Sequence, residues 1–437
     1  MKESKRNTVA QSVAMATCTL LGTAGNQPVH AQEEPVWEFN TALLYYGEND
    51  DRVRDISATV SARRLFSDDR ILNVGLTVDA LTGATPSGAT PLDGVQTFTR
   101  ASGQSAFDVP AGNYPLDDTF LDTRYALTAA WQQPIGRLYQ GSVGVSFSKE
   151  FDYTHLGANL GLSRDFDKRN TTFSIGVSFA RDDVDPIGGT PIGLTPMLDV
   201  GDLSNRRASE SKDVVDLLLG VTRVINEKFL IQLNYSFSEA SGYLNDPYKI
   251  LSLVDPLSGD TIPRIPAPGA EGPSHEFRYE NRPDSRTKQS IFGKGKYFLD
   301  GKVLDLSYRY MTDDWEIDSH TLNAKLRFPL GESSYVEPHI RYYTQTAADF
   351  YRASLTAGAP LPGFASADYR LGDFDAVTVG VRYGWTTENG HDFSLRLEYY
   401  SQNGNVPPDQ LIGNQLQRDL YPGLDAVILN FGYRFGR

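Results

Sequence analysis

Ser319, His320, Glu337 and His339 are of the types that make a nucleophile, a base and an orienting carboxylate, the parts of a serine hydrolase. They lie in the stretches DSHT and EPHIRY. Ser319 and His320 are chain neighbours, and neighbours in an extended strand point to opposite faces, so this hydroxyl and imidazole cannot share one site. The other histidines, His30, His155, His275 and His391, are less well placed. No catalytic residue is expected. Two acidic runs, TDDWEID (Asp313, Asp314, Glu316, Asp318) and RDDVD (Asp182, Asp183, Asp185), could offer oxygens to a hard cation. Neither has the spacing or the glycine of an EF-hand, and both read as solvated loop faces, so no metal site is expected. The glycines of TGATPSG and PIGGTPIG follow no strand-to-helix pattern, which leaves no phosphate loop and no cofactor.

The remaining chemistry is a charge pattern at a spacing of two. Lys294 and Lys296, Asp305 and Arg309, Lys325 and Arg327, Glu337, His339 and Arg341, Arg382, and Arg396 with Glu398 each fall on one face of an alternating segment. Earlier segments carry small neutral groups at the equivalent places: Thr128 and Ala130; Ser142, Gly144 and Ser146; Gly157, Asn159 and Gly161; Ser174, Gly176 and Ser178.

The elements that hold these residues are strands. From residue 36 on, apolar residues alternate with small or polar ones in segments of 10 to 14 residues, from WEFNTALLYY through ILNVGLTVDA, GSVGVSFSKE and FLIQLNYSFS to the final VILNFGYRF. About sixteen such segments can be laid out. In FLIQLNYSF, for example, Phe229, Ile231, Leu233, Tyr235 and Phe237 share one face and Leu230, Gln232, Asn234 and Ser236 the other. Even-to-odd connections such as FSDDR, FDKRN and LDGK are short. Five odd-to-even connections are long and rich in Pro and Gly: 79–121, 183–212, 240–285, 348–373 and 402–425. Strands of about ten residues, short turns at one rim and long loops at the other predict an all-β fold, a single transmembrane antiparallel β-barrel of about 16 strands, of outer-membrane type. With a mean hydropathy of -0.37, no stretch could serve as an apolar membrane helix.

Residues 1–31 carry Lys2, Lys5 and Arg6 before a weakly apolar run and end on VHA, the pattern of a cleaved secretory signal; 32–437 is then the barrel domain. The lone cysteine, Cys18, lies in that leader, so the rest of the chain has no disulfide and no thiolate metal site. A net charge of -14 argues against nucleic acid as a partner. The long loops together carry a net charge of about -12. They are expected to meet outer-leaflet lipopolysaccharide through divalent cations, and barrel-assembly machinery is the other expected partner.

Five separated stretches, DALTGATPSGAT (79–90), SGYLNDPYK (241–249), YENRPDSRTKQS (279–290), LSYRYMTDDWEIDSHTL (306–322) and EPHIRYYTQTAADFY (337–351), together resemble the DUF3570 family. The resemblance implies a secreted bacterial outer-membrane barrel with no assigned activity and no functional residues to carry over; the leader is expected to lie outside the matching region. Within a barrel, the charged face becomes a lumen wall. Lys294, Lys296, Arg309, Lys325, Arg327, Glu337, His339, Arg341, Arg382 and Arg396 are the expected lumen-lining residues. Such a wall would suit a channel or transporter passing small solutes, anions among them. The alternatives are that the charges simply pair across strands, or that the barrel is a non-conducting scaffold or receptor whose acidic loops bind a partner. The long loops could also fold inward as a plug.

Overall fold

The computed structural model describes residues 36–117 and 119–436; the leader and its cleavage point lie outside the described residues. Sixteen antiparallel strands close into one barrel. They are β1 (Val36–Glu48), β2 (Val53–Leu65), β3 (Ile71–Gly83), β4 (Leu121–Ile135), β5 (Tyr139–Lys149), β6 (Tyr153–Phe166), β7 (Thr171–Val184), β8 (Glu210–Asn226), β9 (Phe229–Gly242), β10 (Ser285–Leu299), β11 (Lys302–Asp313), β12 (Asp318–Leu330), β13 (Ser334–Gln345), β14 (Asp373–Thr386), β15 (Asp392–Asn405) and β16 (Leu424–Gly436). Each strand pairs with its sequence neighbours. β16 also pairs with β1 from Glu38 opposite Gly436 to Glu48 opposite Ala426, which leaves no free edge.

The alternation works because inside and outside of this barrel are different solvents. Val143, Val145 and Phe147 on β5, and Val377, Val379 and Val381 on β14, point outward and are exposed. Ser142, Gly144 and Ser146 alternate with the first set and face the lumen. An apolar belt of this extent is untenable in water and is the surface a bilayer covers. A 13-residue strand such as β1 is about 44 Å long at ~3.4 Å per residue. Tilted by about 40°, it more than spans an apolar band of about 25 Å. The short rim is closed by tight turns: Asp300 and Gly301, at φ 46° and 84°, are the two central residues of the β10–β11 hairpin, the left-handed pair that matches strand twist.

At the other rim the strands run further than the alternation suggests. β3 continues to Gly83, so the first long loop is 84–120 rather than 79–121. The other four long loops are 185–209, 243–284, 346–372 and 406–423. They do not hang free. Residues 250–254 form a three-stranded sheet with 277–279 and, in parallel, with 355–356 of the next loop. The amide of Met197 donates to the carbonyl of Phe277, and Asn281 and Ala365 exchange backbone hydrogen bonds. Arg418 donates to the carbonyl of Pro91, and Tyr114 to that of Tyr421. The five loops form one cap with its own apolar clusters, among them Phe98, Met197, Ile250 and Phe277. Another joins Tyr369 and Tyr421 of the loops to Phe374 and Ala376, at the mouth end of β14. The loops thus pack on one another and on the mouth ends of the strands.

Candidate functional site

The cap is fastened by a buried ion cluster. Asp368 accepts from Arg282 Nη2 at 2.8 Å and from Arg370 Nε at 2.8 Å, with Lys249 Nζ 3.8 Å away. Arg282 also donates to Glu280 at 3.0 Å, and Arg370 to Asp246 at 3.0 Å. Lys249 reaches across to Thr85 Oγ1 of the first loop at 3.1 Å and to the carbonyl of Pro86. Burial alone would raise the Asp368 carboxyl, but Arg370 and Lys249 outweigh it and hold it well below the usual carboxylate range. Burial pushes the Glu280 carboxyl up. Tyr114, between the first and last long loops, is pushed up to about 12 by burial and by the Asp419 charge.

The charged face expected of the lumen belongs to β10 to β15. Part of it pairs across strands. Lys294 and Lys296 share Asp305 at 3.0 and 3.7 Å, Arg327 meets Glu337 at 2.9 Å, and Glu398 accepts from His339 at 2.6 Å with Arg396 at 3.9 Å. Arg382 donates to Ser394 and lies 5.9 Å from the Tyr335 ring. Among the described residues, Arg309, Lys325 and Arg341 form no salt bridge. Arg309 lies over the Phe292 ring at 5.6 Å, and both Arg309 and Arg341 are exposed although they share the parity of the inward-facing residues. At the short-turn rim, Arg327, Arg382 and Arg434 line a vestibule of about 750 Å³ with Asn40, Ser61 and Asn430. Of the ten residues expected on the lumen wall, six (Lys294, Lys296, Arg327, Glu337, His339 and Arg396) lie beside an opposite charge.

The hydrolase group does not assemble. His320 is exposed and bonds Tyr308 Oη at 2.7 Å, whereas Ser319 is buried and His339 is engaged with Glu398. The acidic runs need correction. Asp182 is only 1% exposed and faces the lumen rather than a solvated loop. Asp313, half-buried with its side chain covered, accepts from Arg286 and from the amides of Trp315 and Ile317, so it organises the β11–β12 turn.

Sequence reasoning missed a hydrogen-bonded chain on the smooth wall. Ser146 Oγ lies 2.9 Å from His155 Nε2, and His155 Nδ1 lies 2.7 Å from Asp182 Oδ1. Lys212 Nζ stands 3.2 Å from Asp182 Oδ2. Strand register builds the chain: His155 is directly opposite Asp182, and Ser146 is opposite Gly157, one inward position along β6 from His155. The signal was the shared parity of Asp182 with Ser174, Gly176 and Ser178, hidden by reading RDDVD as a loop face although β7 runs on to Val184.

The family model described as "Protein of unknown function (DUF3570)" matches residues 10–435, which brings much of the leader inside the match, contrary to expectation. No curated protein matches. Among solved structures, a mutant of the ferric enterobactin receptor PfeA from Pseudomonas aeruginosa shares 11% identity over 86% of this chain and 54% of that one, with a TM-score of 0.40. A bacterial polysaccharide outer membrane secretin shares 9% identity over 93% of this chain and 100% of that one, at 0.42. CdiB from Acinetobacter baumannii shares 8% over 93% and 61%, at 0.42. The chain spans about half the length of the enterobactin receptors it matches. At these scores the likenesses carry no argument about ligand or mechanism.

Proposed function

The chain belongs to the DUF3570 family, whose function is unknown, and from its own residues we propose that it is an outer-membrane channel or transporter for small solutes, anions favoured, with the loop cap as closure of its outer mouth. The carrying observation is the surplus on the lumen wall. Eight cations (Lys294, Lys296, Arg309, Lys325, Arg327, Arg341, Arg382 and Arg396) face three carboxylates (Asp305, Glu337 and Glu398), and Arg309 and Arg341 stand in solvent without a carboxylate partner. Charge along a narrow aqueous path in low-dielectric walls concentrates the counter-ion, so anions enter preferentially. Passage of this kind asks no covalent chemistry of the wall. The same reading sets the acidic loops toward lipopolysaccharide, reached through divalent cations, and makes barrel-assembly machinery a partner in biogenesis.

The test is the reversal potential of the protein in planar bilayers under a salt gradient. The wild type should favour anions, and Arg341→Glu, a change of two charges on the wall, should reduce or invert that preference. Equal permeability in both proteins would sink the proposal. A second reading, a receptor barrel, is favoured by a mainly apolar cavity of about 370 Å³ in the cap, walled by Phe98, Phe107, Met197 and Ile250. If no conductance appears even in a variant with a loosened cap, the receptor reading replaces the channel.

A further inference from the structure

We propose that the upper lumen carries a serine esterase site, with Ser146 as nucleophile, His155 as general base and acid, and Asp182 as the positioning carboxylate. Transport does not require it, and it is argued from separate residues. The distances, 2.9 Å from Ser146 Oγ to His155 Nε2 and 2.7 Å from His155 Nδ1 to Asp182 Oδ1, are those of a working nucleophile, base and orienting group. One ring nitrogen faces the hydroxyl and the other the carboxylate. This holds the tautomer with the proton on Nδ1 and leaves Nε2 to accept from Ser146.

The surrounding residues make room for this contact. A Cβ on Gly157 would lie 2.5 Å from Ser146 Oγ and 3.0 Å from His155 Nε2, so a side chain there would break the pair. Gly144, two residues from Ser146 on the same face, is covered by the Asn159 amide; a Cβ on it would lie 2.7 Å from Asn159 Nδ2. Strand amides point along the sheet rather than into the lumen, so a donor for a developing oxyanion has to be a side chain. Asn159 is that donor: it faces inward directly opposite Gly144 and, among the described residues, makes no hydrogen bond with its amide. Ser146 retains 9% exposure and Asn159 8%, beside inward-facing residues that are all small: Gly161, Gly176, Ser142 and Ser174.

The chemistry balances without a further reactant. Ser146 Oγ bonds to the ester carbonyl carbon as His155 Nε2 takes its proton, and Asn159 stabilises the oxyanion. The C–O bond to the alcohol breaks as His155 returns the proton to the leaving oxygen. Water then repeats the sequence on the acyl-serine and releases the acid. A single side-chain donor suits an ester rather than an amide, because the alcohol is the better leaving group.

The full-length barrel, folded in lipid nanodiscs, would be treated with a small alkyl fluorophosphonate and assayed with p-nitrophenyl acetate. The expected result is a single covalent adduct mapped to Ser146, absent in Ser146→Ala. His155→Gln should lower the rates of labelling and of acetate release by about 100-fold or more. Asn159→Ala should lower acetate release while leaving the Ser146–His155 contact in place. Heat-modifiable migration of each variant shows that the barrel is intact. An unlabelled Ser146 in folded protein, a label on another serine, or acetate release unchanged in Ser146→Ala would each overturn the proposal. Bilayer conductance should be unchanged by Ser146→Ala, which separates this test from that of the channel.

Discussion

If the cap is closed by its ion cluster, neutralising one carboxylate should open it. Asp368 is 1% exposed and sits among three cations, with Arg282 and Arg370 nitrogens at 2.8 Å and Lys249 at 3.8 Å. Asp368→Asn keeps the volume and removes the charge, leaving Arg282, Arg370 and Lys249 to share Glu280 and Asp246. Removing one partner of a buried charge group costs about 3–5 kcal/mol, because the others stay buried without compensation. At about 1.4 kcal/mol per factor of ten, the opening equilibrium of the cap rises by two to nearly four powers of ten. The assay is limited proteolysis of the folded barrel in micelles, following cleavage within 243–284, where the rate tracks the open population if reclosing is fast. Arg207→Ala is the control, since Arg207 pairs with Glu210 at the surface with 65% of its side chain exposed and should cost under about 1 kcal/mol. A cleavage rate in Asp368→Asn within threefold of wild type would refute the reasoning, and so would an equal rise in Arg207→Ala.

Three further outcomes follow from the same geometry. Asp368 is held below the ordinary value of 3.8, so its contribution to the cap is complete above that value and is lost as pH falls through its folded-state pKa; Glu280, raised by burial, works the other way and is relieved by protonation. Protease resistance of the cap should therefore not fall between about pH 7 and pH 5, since protonating Glu280 can only add to it there, and should drop below about pH 4; loss already at pH 6 would contradict this. Phe435 stacks on Phe39 across the closing seam and on Tyr433, with ring centroids 5.1 Å apart in both cases. Phe435→Ala should impair barrel assembly, by the loss of about 0.5–1.5 kcal/mol per ring pair beyond burial, whereas deleting residues 436–437 should not; the yield of heat-modifiable barrel decides. If divalent cations bridge the acidic loops to lipopolysaccharide, a chelator should speed loop cleavage in outer-membrane vesicles and have no effect in pure phospholipid.

The barrel was legible because strand parity is local. Val377, Val379 and Val381 alternate in sequence and therefore in space, exposed on one face of β14. The cap was not legible. Lys249 meets Thr85 and Asp368, residues more than a hundred positions away in either direction, and no periodicity encodes such a contact. Pro and Gly clusters read as loose connections, yet Leu251 and Ala365 within them are fully buried. The Ser146 chain is an intermediate case: each member obeys parity, but their meeting depends on the register of two hairpins, which the sequence specifies only through turn lengths.

Cap and lumen impose opposite demands, and the strands separate them along the barrel axis. The mouth ends of β8, β9 and β14 turn apolar groups inward, Val214, Ala240 and Phe374, all nearly inaccessible because the loops lie on them. Further down, β11 and β13 turn inward the exposed Arg309 and Arg341, whose charges would be untenable beneath a dry plug. A barrel plugged throughout would have to pair these two arginines or lose them. The buried contacts between loops and strands are thus concentrated at the mouth ends, and the charged face lies below them.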